Sequence, residues 1–174
     1  MATYAILATG PSMSQAIADS IRGRCGIIAV NDAHRLAPFA DALVANDLSW
    51  WKAHPEALDF QGRKFCALRY PGTERLKTTL MCPGGSNSGL QGCRVAWEQF
   101  SATLILLLGF DMRGAHFFGA HAAPLKNPTP DRFAKFIRQF GRWKGCETIN
   151  CTPGSALTQF PFGDVDEILR TRRA

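Results

Sequence analysis

The chain has 174 residues, of which 46% are hydrophobic and 20% charged, and its formal net charge is +6. This length fits one ordinary domain, residues 1–174, and the composition excludes a disordered chain. No apolar run approaches the roughly 18 residues of a membrane span, and no basic residue precedes the first one. Neither a membrane helix nor a secretory signal is therefore predicted.

The six cysteines are scattered along the chain and include no CxxC pair. Such spacing is typical of reduced, buried thiols and differs from zinc-ligand spacing, so we predict a cytoplasmic protein without a metal site. The basic charge balance suits either a solvated surface or an anionic partner, which would be a nucleotide or a polynucleotide.

Short apolar runs alternate with helical patterns from one end of the chain to the other. The predicted strands lie at 4–8, 26–30, 42–45, 64–68, 104–108 and 147–151. The predicted helices lie at 12–22, 48–54, 88–100, 132–142 and 164–172. Continuous apolar strands suit a sheet that is covered on both faces. The alternation predicts an α/β fold, a single Rossmann-like domain whose mainly parallel sheet of five to six strands is flanked by helices.

Polar residues follow the predicted strands. They are Thr9-Gly10-Pro11-Ser12, Asn31-Asp32, Asn46-Asp47, Gly109-Phe110-Asp111 and Asn150-Cys151-Thr152. Because the carboxyl ends of parallel strands meet at one edge, these residues predict a polar crevice at that edge.

The first of these turns has the composition of a phosphate-binding turn. Gly10 permits close backbone approach, Pro11 suits a first helical turn, and Ser12 can cap the helix that follows. A second anion cradle is predicted at 84–89, where Asn87, Ser88 and Gly89 lead into a helix, and a third at 152–155. The chain contains neither GxGxxG nor the Walker motif, so the common dinucleotide and P-loop sites are not supported.

The segment HFFGAH places His116 and His121 five residues apart in a predicted loop. Histidine titrates near neutral pH, so the two could act as a base and its partner, or simply face solvent. His34 and His54 look incidental to this chemistry. Asp111, at the end of the most apolar strand, is suited to binding a metal, orienting a histidine or capping a turn.

In order and type, these pieces resemble the family 42 glycosyltransferases, bacterial sialyltransferases that use CMP-sialic acid. They also resemble the Rossmann-like proteins related to archaeal 6-hydroxymethylpterin pyrophosphokinase. The segments that carry the resemblance are ATGPSM at 8–13, AVND at 29–32, ALVANDLSWW at 42–51, NSGLQGCRVAW at 87–97, LLLGFDM at 106–112, HFFGAH at 116–121 and NCTPGSALTQF at 150–160. The chain is far shorter than the sialyltransferases, as a phage-type relative would be.

The resemblance implies a nucleotide site and a general base. The residues that would hold the nucleotide part of a CMP-sugar-like donor are Thr9, Gly10, Pro11, Ser12, Asn31, Asn46, Ser88, Gly89 and Ser155. His121 would be the general base, with His116 in reserve. The sialyltransferases carry Asn in place of Thr9, and their tyrosine-bearing lid is reduced here to residues 112–115.

Three functions remain open from the sequence. The first is a glycosyltransferase-like enzyme whose acceptor is a glycan or a nucleic acid. The second is a pyrophosphokinase that uses ATP and Mg²⁺, which would need carboxylates such as Asp32, Asp47 or Asp111. The third is a nucleotide-binding or nucleic-acid-binding protein without turnover. The aromatic pair Trp50-Trp51 suits a ligand site, the core or the interface of a homo-oligomer.

Overall fold

The fold is built on a seven-stranded parallel sheet, seen in a computed structural model that describes residues 2–76 and 87–172. The strands are β1 (Thr3–Leu7), β2 (Gly26–Val30), β3 (Ala42–Val44), β4 (Arg63–Cys66), β5 (Glu74–Arg75), β6 (Leu104–Leu108) and β7 (Glu147–Asn150). The helices are α1 (Gln15–Ile21), α2 (Leu48–Ala53), α3 (Ser88–Phe100), α4 (Pro130–Phe140) and α5 (Val165–Thr171). The predicted α/β class with a mainly parallel sheet is confirmed.

The strand count is higher than the predicted five to six because β5 carries no apolar signal. This strand has only two residues, Glu74 and Arg75, and both are exposed at the edge of the sheet. Its pairing with β4 positions it, since Phe65 lies in register with Glu74. A strand of this kind depends on its neighbour and not on hydrophobic burial.

Successive residues of the central strands point to opposite faces of the sheet, and each face supports its own core. On one face Leu7 and Leu106 pack in a cluster with residues of α1, α2 and α5. On the other face Ile6 and Ile105 pack in a cluster with residues of α3 and α4. Helices therefore cover both faces, which is why these strands are continuously apolar.

The start of α1 differs from the sequence prediction, and the burial of the tryptophan pair settles a point that the sequence left open. Ser12 was expected to cap α1, but the helix begins at Gln15 and Ser14 accepts the capping hydrogen bond from the N–H of Ile17. Of the locations that the sequence left open for Trp50 and Trp51, burial selects the core, since the two are 4% and 0% exposed, and Trp50 also borders the cleft at the carboxyl ends of the strands. No helix in the described part of the chain is long and apolar enough to cross a bilayer.

The strand order β5-β4-β3-β2-β1-β6-β7 contains one reversal. From β1 to β5 each strand is added on one side, and the chain then returns to the other side of β1 to form β6 and β7. The loops that follow β1 and β6 therefore lead away in opposite directions. In open parallel sheets, such a switch point is where ligands bind.

We predict that Leu106→Ala lowers the free energy of unfolding by about 2–5 kcal/mol, because it removes a fully buried side chain from the central strand pair. Urea denaturation followed by circular dichroism measures the loss. Leu68→Ala is the matched control, since Leu68 is 52% exposed and its truncation should change stability by less than about 0.5 kcal/mol. Equal losses in the two variants would contradict this assignment of the core.

Candidate functional site: a cleft at the strand switch point

A cleft of about 500 Å³ lies at the switch point between β1 and β6. Loops after β1, β2, β3 and β6 contribute to its walls, together with the start of α3 and one side of α4. The residues predicted from the sequence that line it are Thr9, Gly10, Asn31, Asp47, Asn87, Ser88, Gly89, His116 and His121. Residues from five separate segments are thus brought together in one cleft.

Six other predicted site residues are not among the residues that line this cleft: Pro11, Ser12, Asp32, Asn46, Asp111 and Ser155. Ser155 is buried; its hydroxyl donates to the carbonyl of Phe110 and accepts from the N–H of Leu157, so it ties the β7 loop to the end of β6. The N–H of Asn46 donates to Ser88 Oγ at 3.1 Å, which joins the end of β3 to α3.

The first turn, which the sequence predicts to bind a phosphate, packs against a carboxylate of the protein. Asp111 Oδ2 accepts hydrogen bonds from Ser12 Oγ at 2.8 Å and from the N–H of Ser12 at 3.4 Å. A Cβ on Gly10 would lie 2.0 Å from the same carboxylate oxygen and 2.4 Å from the carbonyl oxygen of Gly109. Gly10 is therefore required for close packing of the two loops, and Ser12 donates to Asp111.

The start of α3 provides the cleft with a helix amino terminus. The side chain of Asn87 caps the helix by accepting from the N–H of Leu90 at 3.1 Å, and its amide donates to Gln139 of α4. A Cβ on Gly89 would lie 2.7 Å from the ring of Phe110, so glycine lets α3 approach the end of β6. The first N–H groups of a helix favour an anion. Residues 84–86 of the predicted cradle lie outside the described residues.

The charge of the lining is mainly positive. Arg113, Lys126 and Arg132 line the cleft, and Asp47 is the only acidic residue among the lining residues described. Phe133 and Phe136 of α4 also face it. Phe140 of the same helix is in the core, whereas Phe133 and Phe136 are only partly buried. The cleft therefore combines cations with aromatic surface.

The two loop histidines lie side by side in this cleft. Nδ1 of His116 is 2.8 Å from Thr9 Oγ1, and the ring stacks on Phe118 with 4.9 Å between centroids. The ring of His121 is 4.6 Å from that of His116. The backbone of His121 is held by Asn127, whose side chain accepts from the N–H at 2.7 Å and donates to the carbonyl oxygen at 3.2 Å.

Burial lowers the pKa of both rings below the ordinary value of 6.5. The neighbouring His121 lowers the pKa of His116 further, while Asp32 opposes the shift of both rings. Both histidines are therefore mainly neutral at pH 7, the state in which a histidine can accept a proton. Nε2 of His116 is buried and has no hydrogen-bond partner among the residues that the structure describes.

Asp32 is only 1% exposed, and its carboxylate contacts several side chains next to the cleft histidines. Trp50 Nε1 donates to Oδ2 at 2.8 Å, and His54 Nε2 is 3.3 Å from Oδ1. His121 Nε2 is 4.0 Å from Oδ2. From the sequence, His54 looked incidental and Trp50 was not recognised as a hydrogen-bond donor. Both contacts depend on packing between α2 and the loop after β2, which no spacing or motif in the sequence signals.

The carboxylates do not form a metal site. Within residues 2–76 and 87–172, no group of three or more His, Cys, Asp or Glu side chains is placed to hold a metal ion. The five cysteines in those residues form no disulfide, and burial raises the pKa of four of them, Cys66, Cys93, Cys146 and Cys151. These four thiols are protonated near neutral pH, which suits structural residues.

No protein-family model, curated protein or solved structure matches the chain. The functional interpretation therefore depends on the cleft itself.

We predict that Gly10→Ala lowers the free energy of unfolding by about 1–3 kcal/mol, because the added methyl group would overlap Asp111 and Gly109. Gly141→Ala is the control, since residue 141 has ordinary helical backbone angles and its nearest neighbour would be 3.4 Å away. Thermal denaturation compares the two. Wild-type stability in Gly10→Ala would show that the two loops do not pack as described.

The free energy of unfolding should also decrease as the pH is lowered, and the two cleft histidines should account for part of that decrease. Their pKa values are lowered in the folded protein, so the unfolded chain binds more protons between those values and the ordinary 6.5. Their contribution is complete above about pH 6.5 and is lost as the pH falls through the folded-state pKa values. Urea denaturation between pH 7.5 and about 5 should therefore show a shallower decline for His116→Gln/His121→Gln than for the wild type. Identical slopes would contradict the burial of these rings.

Proposed function

We propose that this protein is a transferase that binds a nucleotide-activated donor in the switch-point cleft and moves a sugar to an acceptor hydroxyl, with His121 as general base. One observation carries the proposal: a neutral histidine pair, backed by a buried carboxylate, shares a cation-lined cleft with the amino terminus of α3. These are the parts that base-assisted displacement of a phosphate leaving group needs.

Binding of the donor would use both the positive charge and the aromatic surface of the cleft lining. The phosphate would lie near the amino terminus of α3, where the N–H groups of Ser88 and Gly89 and the side chains of Arg113 and Arg132 favour negative charge. The base would lie against apolar surface such as Phe133, since nucleobases stack on aromatic rings.

The reaction would then proceed as a single displacement. His121 takes the proton of the acceptor hydroxyl while that oxygen forms a bond to the anomeric carbon of the donor. The bond from this carbon to the phosphate oxygen breaks, and the electron pair stays on the leaving phosphate. The added charge is stabilised by the helix terminus and by Arg113, Lys126 and Arg132.

The positions of the carboxylates favour this reaction over the ATP-dependent pyrophosphokinase. Of the three acidic residues considered for Mg²⁺, only Asp47 lines the cleft. Asp32 accepts from Trp50, and Asp111 accepts from Ser12. A pyrophosphokinase would need carboxylates that converge on the metal-bound phosphates.

A thermal-shift screen of nucleoside monophosphates and nucleotide sugars tests the donor site. A ligand at a hundredfold excess over its Kd adds about 2.7 kcal/mol, which corresponds to a rise in Tm of about 5–10 °C for a chain of this size. Arg132→Gln should weaken binding about tenfold, since it removes a charged donor from the cleft. Arg138→Gln, on the same helix but not among the cleft residues, is the matched control.

Failure of every nucleotide to raise Tm would overturn the donor site. If only polynucleotides bind, the nucleic-acid-binding alternative replaces the transferase.

Catalysis is tested by donor consumption in the presence of an acceptor. His121→Ala should lower kcat about 10²–10⁴-fold without a matching loss of nucleotide affinity, because it removes a proton acceptor and not a phosphate contact. Gln61→Ala is the control, since that exposed side chain is not among the residues that line the cleft. Full activity of His121→Ala would exclude the base, and loss of activity on addition of EDTA would favour the pyrophosphokinase.

A further inference from the structure

All four histidines of the chain are connected with the network around Asp32. His54 and His121 approach its carboxylate directly, His116 lies against His121, and His34 packs edge-on against Trp50. Only His116 and His121 line the cleft. The Asp32 carboxylate therefore lies between His54, which does not line the cleft, and His121, which does.

We propose that Asp32 is a positioning residue for His121: from beneath the cleft it orients the ring and stabilises the imidazolium that forms when this base takes a proton. The proposal rests on the proposed function for its catalytic consequence. Asp32 touches no ligand in this arrangement, because it does not line the cleft and is 1% exposed.

The contacts of Asp32 determine which of its oxygens serves which partner. Oδ2 accepts from Trp50 Nε1 at 2.8 Å and lies 4.0 Å from His121 Nε2. Oδ1 lies 3.3 Å from His54 Nε2 and 3.8 Å from a guanidinium nitrogen of Arg35. The indole holds the carboxylate in place, so its negative charge lies 4.0 Å from Nε2 of His121, too far for a hydrogen bond but close enough to stabilise a positive ring.

His54 competes with His121 for this carboxylate. Nδ1 of His54 lies 2.9 Å from the carbonyl oxygen of Trp50, which can only accept, so this nitrogen carries a proton. Nε2 faces a second acceptor, Asp32. His54 therefore shares the carboxylate with His121.

The charges that face the base act in opposite directions. Asp32 favours the protonated form of His121, whereas burial and the charge of His54 favour the neutral form. His116 is the other titratable group against the ring, at 4.6 Å between centroids. Removing Asp32 and removing His54 should therefore move the titration of His121 in opposite senses, which a merely structural role for either residue would not do.

The test uses ¹⁵N-labelled histidine in the full chain and long-range ¹H–¹⁵N spectra, which report the tautomer and the titration midpoint of each ring. In Asp32→Asn the midpoint of His121 should fall, since a negative charge next to the ring is lost. In His54→Gln the midpoint should rise. Asp59→Asn removes an exposed carboxylate and should leave this midpoint unchanged.

An unchanged His121 midpoint in folded Asp32→Asn, or a fall in His54→Gln, would overturn the proposal. If Asp32→Asn does not fold, the sign of the change in His54→Gln still decides. In the transfer assay, Asp32→Asn should lower kcat about 100-fold, the loss expected when a reacting group is misplaced by about an ångström, with KM little changed.

The two proposals can fail separately. If no nucleotide raises Tm while the His121 midpoint moves as stated, the contact with Asp32 stands and the transferase does not. If nucleotides bind while that midpoint stays fixed in both variants, the donor site stands and Asp32 loses its role.

Discussion

The pairing of β1 with β6 is the constraint on which the rest of the structure depends. The two strands are parallel neighbours in the sheet, although β2 to β5 lie between them in the sequence. Their pairing continues past the strand ends to a hydrogen bond of 2.9 Å, which the N–H of Gly10 donates to the carbonyl oxygen of Gly109. Past this contact Ser12 still bonds to Asp111, and the chain then leads from β1 to α1 on one face of the sheet and from β6 to α4 on the other. The cleft lies at this switch point, and the contact between Ser12 and Asp111 holds the two loops together beside it.

A network of buried polar side chains connects this cleft to the core. Burial of a carboxylate is costly unless donors surround it, and Asp32 has the indole of Trp50 and the ring of His54 within hydrogen-bonding or ion-pairing distance. The same low-polarity surroundings lower the pKa of the cleft histidines. Packing that stabilises the fold thus also favours the neutral form of the two cleft histidines.

The sequence predicted the elements best where hydrophobic burial alone defines them. The bounds of β2, α3 and β6 agree with the prediction, because each is a continuous apolar run or a long amphipathic pattern with clear ends. The start of α1 and the existence of β5 were missed. The first depends on a turn closed by Gly10 and Asp111, and the second on pairing with β4; both are contacts with residues distant in the chain. In the cleft, Thr9, Asn31 and Asp47 were predicted correctly as lining residues, because each follows a strand and the prediction needs only the direction of the strands.

By itself, the sequence determined the parallel α/β class, the edge at which polar residues collect and the candidate histidines, since periodicity and strand direction are local properties. Only the tertiary structure decided which polar groups are used inside the protein and which face the cleft. Ser12 and Asp111 satisfy each other, Ser155 holds the end of β6, and Asp32 is bound by His54 and Trp50. The physical reason is that a buried polar group must find its partner in space, and packing, not spacing along the chain, supplies that partner.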